Sequence, residues 1–278
     1  MLLTLVTMIA FAANSVLCRL ALGEGHIDAA SFASVRVASG ALTLLLIVLP
    51  RWRRADRRPV DWRAAAMLFT YVAFFSFAYL SLSAGAGALL LFGAVQLTMF
   101  ITALRAGEHF PALSWLGLAL AVGGIVYLVS PGVTAPNPLG ATLMVVAGIA
   151  WGVYSLLGRG VQDPLEATAN NFLFCVPLVL LVSLAFVTHA EITLRGLLLA
   201  IASGSIASGL GYVLWYAALR GLTATSAATV QLSVPVIAAI GGVLLLSEPV
   251  TLRLVVASAA TLGGIAIVLA ERTRPRRP

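Results

Sequence analysis

Long apolar runs fill almost the whole sequence of 278 residues, and they limit the possible folds more than any other feature. Each run is about 20 residues long, the length that an α-helix needs to cross the hydrocarbon core of a bilayer. The runs do not alternate between apolar and polar residues with a period of two, which disfavours the strands of a membrane barrel. We therefore predict an all-α polytopic membrane protein with ten transmembrane helices.

Short polar breaks rich in Gly and Pro separate the runs, as expected where helices end. One boundary, at residues 83–87, is weakly marked, so a single long broken helix is the alternative to separate third and fourth spans. The predicted spans are residues 2–20, 30–49, 63–82, 85–104, 112–130, 139–157, 169–188, 196–219, 224–246 and 251–270.

The composition excludes a large water-soluble domain. Hydrophobic residues make up 61% of the chain and charged residues 10%, whereas soluble domains average about 45 to 50% and about 25%. Cys18 and Cys175 lie inside apolar runs, and His26, His109 and His189 lie in three separate breaks. Neither pattern has the spacing of a metal site, and no phosphate-binding loop or hydrolase motif is present. We therefore predict no metal and no cofactor.

The basic residues, all 17 of them Arg, are concentrated in two segments. Residues 51–63 and 271–278 together hold ten Arg and three acidic residues, a net charge of +7 that equals the formal charge of the chain. Eight predicted spans separate the two segments, so both lie on one side of the membrane. The positive-inside rule then predicts an inner (plasma) membrane protein with both termini in the cytoplasm. Because the Arg residues flank apolar spans, we do not predict nucleic-acid binding.

The sequence contains an internal repeat. Ile9–Arg19 aligns with Ile149–Arg159, with five of eleven residues identical, after a shift of 140 residues. The same shift aligns Glu108 with Glu248 and the Gly-Gly-Ile segments 123–125 and 263–265. Each of these two Glu residues precedes a predicted helix, so we expect both to cap the helix that follows.

Five spans per copy is an odd number, so the second copy crosses the membrane in the opposite direction to the first. We therefore predict two inverted five-helix repeats, residues 1–135 and 136–271, followed by a basic cytoplasmic tail at residues 272–278. Many secondary transporters have this architecture, with a substrate site near the midplane and alternating access to it. A repeat with a purely structural role is the alternative.

The repeated segments resemble a known family. AANSVLCR opens the first half, AWGVYSLLGR opens the second, and Arg36 occurs early in the second span. The halves end in AGEHFPALSWLGLALAVGGIVYL and LSEPVTLRLVVASAATLGGIAIVL. This organisation resembles the drug/metabolite transporter superfamily, EamA type, over essentially the whole chain, although Thr98 and Met99 stand where a Pro is expected. The resemblance implies a metabolite transporter, and it is closest to the YddG-type exporters of aromatic amino acids.

The predicted spans hold neutral polar and aromatic side chains but no central carboxylate, which argues against a buried proton relay and favours facilitated transport. Amide and aromatic groups around a cavity suit an uncharged or zwitterionic amphipathic solute. Packing, an interfacial belt or interhelical hydrogen bonds are the alternative roles for the same side chains. The predicted substrate-binding residues are Asn14, Tyr79, Gln96, Trp151, Tyr154, Tyr216 and Gln231.

Two further residues are predicted to act as a hinge or a gate. Pro235 removes a backbone hydrogen bond and should kink the ninth span, freeing a carbonyl near Gln231. Arg36 needs a partner, and Glu24 and Asp28 are within reach on the same predicted side. Arg36 is then either part of a gate, a contact for a substrate carboxylate, or one half of a structural ion pair.

Together these features predict a secondary transporter, not an enzyme, that exports small amphipathic metabolites by alternating access. Aromatic or other neutral amino acids are the expected substrates, with purines, sugars or drugs as the alternative on the same fold. The expected partners are this small molecule and the lipid bilayer, and the protein is expected to be a monomer or weak dimer. An intramembrane enzyme or a sensor is the alternative from another class, but the sequence shows no polar catalytic cluster at depth.

Overall fold

The described residues form ten apolar helical segments, α1 to α10. In this computed structural model, nine of those among the described residues are long and apolar enough to cross a membrane, and α3 is shorter at 17 residues. Within the same ranges the only β-pairing is an isolated bridge between Ile27 and Ile192. The predicted all-α polytopic fold is confirmed. The structure describes residues 2–51, 61–159, 161–222 and 224–273.

The helices follow the predicted spans closely. Two of them are composite: α8 contains a π-helical segment, Ala202–Leu210, and α9 is interrupted at Leu232. The bounds are Leu2–Gly23 (α1), Ala29–Val48 (α2), Trp62–Ala78 (α3), Ala84–Arg105 (α4), Ala112–Val129 (α5), Pro138–Leu157 (α6), Pro164–Ala185 (α7), Leu194–Ile201 with Ala202–Leu210 and Gly211–Leu219 (α8), Ala224–Gln231 with Ser233–Leu246 (α9), and Leu252–Thr273 (α10).

The weakly marked boundary near residue 83 separates two helices. α3 ends at Ala78, four residues before its predicted end, and a turn follows in which Leu82 N–H donates to Ala78 O at 3.1 Å. Ser83 then caps α4, accepting from Ala86 N–H at 3.3 Å. A Ser at the N-cap satisfies a backbone donor that has no partner within the helix. The alternative of one broken helix is therefore wrong.

The interruption of α9 falls where the sequence predicts a kink. Pro235 has no N–H to donate to the carbonyl four residues earlier, that of Gln231. At the break, Leu232 N–H donates to Thr229 O at 3.1 Å and Ser233 Oγ donates to Val230 O at 2.6 Å. These bonds satisfy carbonyls that the regular helix would otherwise bond. The role of Pro235 as a hinge remains a prediction.

The π-helical segment of α8 was not expected from the sequence. It packs against α2, where a Cβ on Gly204 would overlap the carbonyl oxygen of Arg36. The absence of a side chain at Gly204 therefore lets the two backbones approach closely. Neighbouring Ser203 and Ser208 both contact Asn14 of α1. The segment thus brings α1, α2 and α8 together.

The most extensive helix contacts are kept when each helix is exchanged with the one five places along. α1 packs on α9 as α6 packs on α4, α3 packs on α6 as α8 packs on α1, and α2 packs on α8 as α7 packs on α3. The pairs α2–α7, α4–α9 and α5–α10 are formed between equivalent helices of the two halves. This pattern is compatible with the predicted inverted repeats.

Candidate functional site

A cavity of about 500 Å³ lies between the two halves of the chain. Helices α1, α3 and α4 line it from the first half, and α6 to α9 line it from the second. Most of the lining side chains are apolar or aromatic, with a few amides and hydroxyls among them. Small-molecule sites in proteins have volumes of about 300 to 1,000 Å³ and this kind of lining.

The cavity opens at one end of the helix bundle. The exposed residues Asp61, Arg159 and Asp163 line its outer part, and we call this surface the Asp61 face. The opposite surface, which carries Glu24 and Glu248, is called the Glu248 face. Within the Arg-rich segments predicted to mark the cytoplasmic side, residues 52–60 and 274–278 lie outside the described residues.

A network of polar contacts closes the cavity at the Glu248 face. Arg19 Nε lies 3.2 Å from Glu248 Oε1, and Arg19 Nη1 donates to the carbonyls of Tyr79 and Leu80 at 3.1 and 3.3 Å. Glu248 Oε2 accepts from Ala84 N–H at 2.8 Å. We call these five residues the Glu248 latch. It joins α1, the α3–α4 turn and the α9–α10 loop.

The expectation that Glu248 caps its own following helix is wrong, because it caps α4. Ser247 ends α9 with a left-handed φ of 53°, and Glu248 N–H donates to Gly242 O at 3.1 Å. This turn is a common way to end a helix. It directs the chain back, so that the Glu248 carboxylate lies against Gly242 and the start of α4.

A second set of contacts on the Glu248 face joins the two halves. Asp28 N–H donates to Glu191 O at 2.9 Å, and Glu24 pairs with His26 at 2.9 Å and with Arg195 at 3.3 Å. Asp28 also caps α2. The predicted pairing of Arg36 with Glu24 or Asp28 is therefore wrong. Arg36 lies two turns into α2, and both acids have other partners.

Arg36 is buried behind the cavity wall, with 2% of its surface exposed. Its Nη2 donates to Tyr71 Oη at 3.0 Å, and its Cζ lies 4.8 Å from the ring centroid of Phe75 and 5.4 Å from that of Tyr71. Nε and Nη1 have no hydrogen-bond partner among the described residues. Tyr71 and Phe75 line the cavity, so the guanidinium lies directly behind its aromatic lining.

The aromatic part of the lining is a continuous cluster centred on Tyr212. Its ring centroid lies 5.6 Å from Trp151, 6.0 Å from Phe11 and 6.3 Å from Tyr216. Tyr71 extends the cluster, 4.8 Å from Trp151. The predicted site omitted Phe11, Tyr71 and Tyr212. The spacing of Tyr212 and Tyr216, four residues apart and therefore on one helix face, was the available signal for Tyr212.

Side chains of α7 orient two of the Tyr hydroxyl groups. Thr168 Oγ1 lies 2.8 Å from Tyr216 Oη, and Asn171 Nδ2 donates to Tyr154 Oη at 3.4 Å. Both Tyr residues are among the predicted substrate-binding residues, and neither partner on α7 is. Fixed hydroxyl groups in an aromatic wall provide orientation for a bound solute.

Six of the seven predicted substrate-binding residues line the cavity, and Tyr79 does not. Tyr79 is fully buried in the turn after α3, and its hydroxyl donates to Ala84 O at 3.4 Å. Because α3 ends early, Tyr79 lies towards the Glu248 face, where Gly87 leaves room for its ring. The six that line the cavity are Asn14, Gln96, Trp151, Tyr154, Tyr216 and Gln231.

Comparison with known proteins identifies the family. The EamA-like transporter family matches residues 138–270. An uncharacterized protein of Pseudomonas aeruginosa is 52% identical over 272 residues, which covers 98% of this chain and 95% of the relative. Two uncharacterized transporters of Archaeoglobus fulgidus are 26% and 27% identical, covering 87% and 98% of this chain and 89% and 97% of their own.

A solved crystal structure of a protein has the same fold, with a TM-score of 0.69 at 21% identity, covering 98% of this chain and 99% of its own. The predicted membership of the drug/metabolite transporter superfamily is confirmed, and the narrower resemblance to exporters of aromatic amino acids is not tested by these matches. The chain is a multi-pass membrane protein that belongs to the EamA-like transporter family of this superfamily.

Proposed function

We propose that this protein is a secondary transporter that exports small amphipathic metabolites, above all aromatic or other neutral amino acids, by alternating access. The observation that carries the proposal is the cavity between the two halves, which is open at the Asp61 face and closed at the Glu248 face. A pocket accessible from one side of a membrane, in a chain with two similar halves, corresponds to one of the two states of a carrier. Membership of a transporter family favours transport over catalysis.

The repeat also supports a second, oppositely open state. The shift of 140 residues that aligns the halves places Arg159 opposite Arg19 and Glu108 opposite Glu248. We propose that residues 1–135 and 136–271 are inverted repeats, and that Arg159 and Glu108 close the Asp61 face in the other state. Alternation between closure at the Glu248 face and closure at the Asp61 face would move the solute across the membrane.

The cavity lining supports the proposed substrate class. Trp151, Tyr154 and Tyr216 provide apolar surface and hydroxyl groups, and Gln96 and Gln231 provide amides from equivalent helices. The structure gives neither amide a hydrogen-bond partner within the described part of the chain, so both can bond a solute.

Counterflow in liposomes tests the proposal. Purified full-length protein is reconstituted, and the uptake of labelled Phe, Trp, Thr and Met against an internal excess is compared with empty liposomes. We expect saturable exchange, fastest for the aromatic amino acids. Ala167 lines the cavity, so Ala167→Trp should fill it and stop exchange. Leu42 is 58% exposed on α2, so Leu42→Trp is the matched control and should exchange as the wild type does.

Each outcome decides a different point. If Ala167→Trp exchanges amino acids as fast as Leu42→Trp and the wild type, the solute does not pass through this cavity. No exchange of any amino acid, in protein that is folded by its thermal transition, would contradict the proposed substrate class. Exchange of purines, sugars or drugs in the same assay would then identify the alternative class on this fold.

A further inference from the structure

A buried positive charge at the cavity wall has no acidic partner in the part of the chain that the structure describes. Arg36 is 2% exposed, its Nε and Nη1 have no hydrogen-bond partner among the described residues, and no ion pair within these ranges includes it. A charged side chain within a membrane-spanning helix is costly unless it is paired, so it is a candidate functional group. The charge is therefore available to an anionic group that comes from outside the chain.

The groups around the guanidinium are neutral. The rings of Phe75 and Tyr71 lie 4.8 and 5.4 Å from Cζ, within the range of a cation–π interaction. Cys18, Cys175 and Tyr212, on three other helices, are the further titratable side chains near the guanidinium. Rings and neutral thiols reduce the cost of burying the charge, but they do not neutralise it.

Tyr71 connects this charge to the cavity. Its hydroxyl oxygen accepts from Arg36 Nη2 at 3.0 Å, and its side chain lines the cavity. A phenolic hydroxyl both accepts and donates, so its own hydrogen remains available for a second partner. A neighbouring cation polarises the hydroxyl and makes it a stronger donor. The wall at Tyr71 is therefore suited to a negatively charged acceptor.

The carboxylates of the cavity lie at its open end. Asp61 and Asp163 cap α3 and α7, and Glu166 occupies the first turn of α7. Tyr71 lies about midway along α3, well inside the bundle. The lining is thus acidic at the opening, whereas the Arg36 guanidinium lies behind the wall in the deeper part of the cavity. This distribution suits a zwitterion whose carboxylate enters first.

We infer that Arg36 and Tyr71 form the recognition site for a substrate carboxylate. Tyr71 donates to the carboxylate, and Arg36 is a positioning residue that orients Tyr71 and provides the positive charge. The inference rests on the proposed transport function and adds the substrate class: solutes with a free carboxylate are selected over amides or amines of the same shape.

A series of related ligands tests the inference on the wild-type protein. Binding of L-phenylalanine, 3-phenylpropionate, phenylalaninamide and phenethylamine is measured by the fluorescence of Trp151 and Trp215, which line the cavity. We expect the two acids to bind about 10- to 100-fold more tightly than the amide and the amine, the range for one hydrogen bond to a charged group. Equal affinity for all four would overturn the inference and leave the proposed function standing. Failure of all four to bind would overturn the inference, and counterflow of Thr and Met would then decide whether the proposed function stands.

Variants separate carboxylate recognition from a structural role. Tyr71→Phe keeps the ring and should reduce the preference for acid over amide about tenfold, and Arg36→Gln should abolish it. Arg195→Gln removes an Arg that is 57% exposed on the Glu248 face and should leave the preference unchanged. If Arg36→Gln does not fold, Tyr71→Phe and Arg36→Lys, which keeps the charge, still give the preference ratio. A structural defect would weaken acid and amide equally, so an unchanged ratio in Tyr71→Phe would overturn the inference.

Discussion

At the scale of single residues, the three amides among the predicted substrate-binding residues fall into two groups. Asn14 Oδ1 accepts from Ser203 at 2.8 Å, and its Nδ2 donates to Ser208 at 3.3 Å, so this amide holds α1 against α8. Gln96 and Gln231 line the cavity without such bonds among the described residues. The first amide therefore contributes to stability, and the other two are available to a solute.

Substitutions of Asn14 and Gln231 test this division. Asn14→Leu leaves two buried Ser hydroxyls without their partner and should destabilise the protein by about 1 to 3 kcal/mol. Gln231→Leu should leave the thermal transition in detergent close to the wild-type value and slow amino-acid counterflow. A transition lowered equally by both variants would mean that Gln231 serves as an interhelical contact.

Residue type and depth in a span can be read from the sequence, which is why six predicted residues line the cavity. The direction in which a side chain points depends on where its helix ends and on what packs beside it. Tyr79 lies in a turn because α3 ends at Ala78, inside the apolar run. Arg36 faces Tyr71 and not the nearby acids, because α3 packs beside α2. Neither arrangement can be predicted from the local sequence.

At the scale of helices, glycines control the contact between α5 and α10. A Cβ on Gly264 would overlap the backbone of Gly117 and Ala121, whereas a Cβ on Gly263 would meet nothing within 4 Å. Small residues let membrane helices approach closely, and such contacts contribute much of their stability. The two adjacent glycines therefore allow a matched comparison of Ala substitutions, one in the contact and one outside it.

We expect Gly264→Ala to destabilise the protein by about 1 to 3 kcal/mol through overpacking. Gly263→Ala should be neutral or stabilising by up to about 1 kcal/mol, because Ala favours helix more than Gly does. Thermal unfolding in detergent measures both. Equal changes of the unfolding temperature in the two variants would contradict the observed packing of α5 on α10.

We predict that the Glu248 latch holds the Glu248 face closed. Glu248→Gln removes the ion pair with Arg19, and loss of a hydrogen bond between charged groups weakens a state by about 1.5 to 3 kcal/mol. Cys18, next to Arg19 and fully buried, should then react at least tenfold faster with a membrane-impermeant maleimide, in a Cys175→Ala background. Glu24→Gln, on the same face but in an exposed pair, is the control and should have little effect. Unchanged labelling in Glu248→Gln would show that the latch does not hold this face closed.

Hydropathy predicted the helices well because crossing a bilayer imposes a length and a composition. Interruptions within helices were harder to predict. The interruption of α9 falls where a kink is predicted, because Pro235 lacks an N–H. The π-helical segment of α8 was not predicted, because it depends on contacts of Gly204 with α2 and of two Ser residues with Asn14.

At the scale of the whole molecule, we propose that the Asp61 face is cytoplasmic. The Arg-rich segment connects α2, which ends at this face, to α3, which begins there, and α10 ends at the same face before the basic tail. A fluorescent protein fused to the C-terminus should therefore fold and fluoresce in cells. Alkaline phosphatase fused after Val133, in the α5–α6 loop, should be active outside. The reverse pattern would contradict this orientation.

Labelling of one cavity residue from the two sides of the membrane tests alternating access most directly. Phe11 lies midway along α1, lines the cavity and is partly exposed. Phe11→Cys, with Cys18 and Cys175 replaced by Ala, is exposed to a membrane-impermeant maleimide from each side in vesicles of opposite orientation. We predict labelling from both sides, faster from the Asp61 face, and protection by saturating phenylalanine on both. Labelling from the Asp61 face alone, unchanged by Glu248→Gln, would mean that the cavity is a one-sided pocket and would contradict the account.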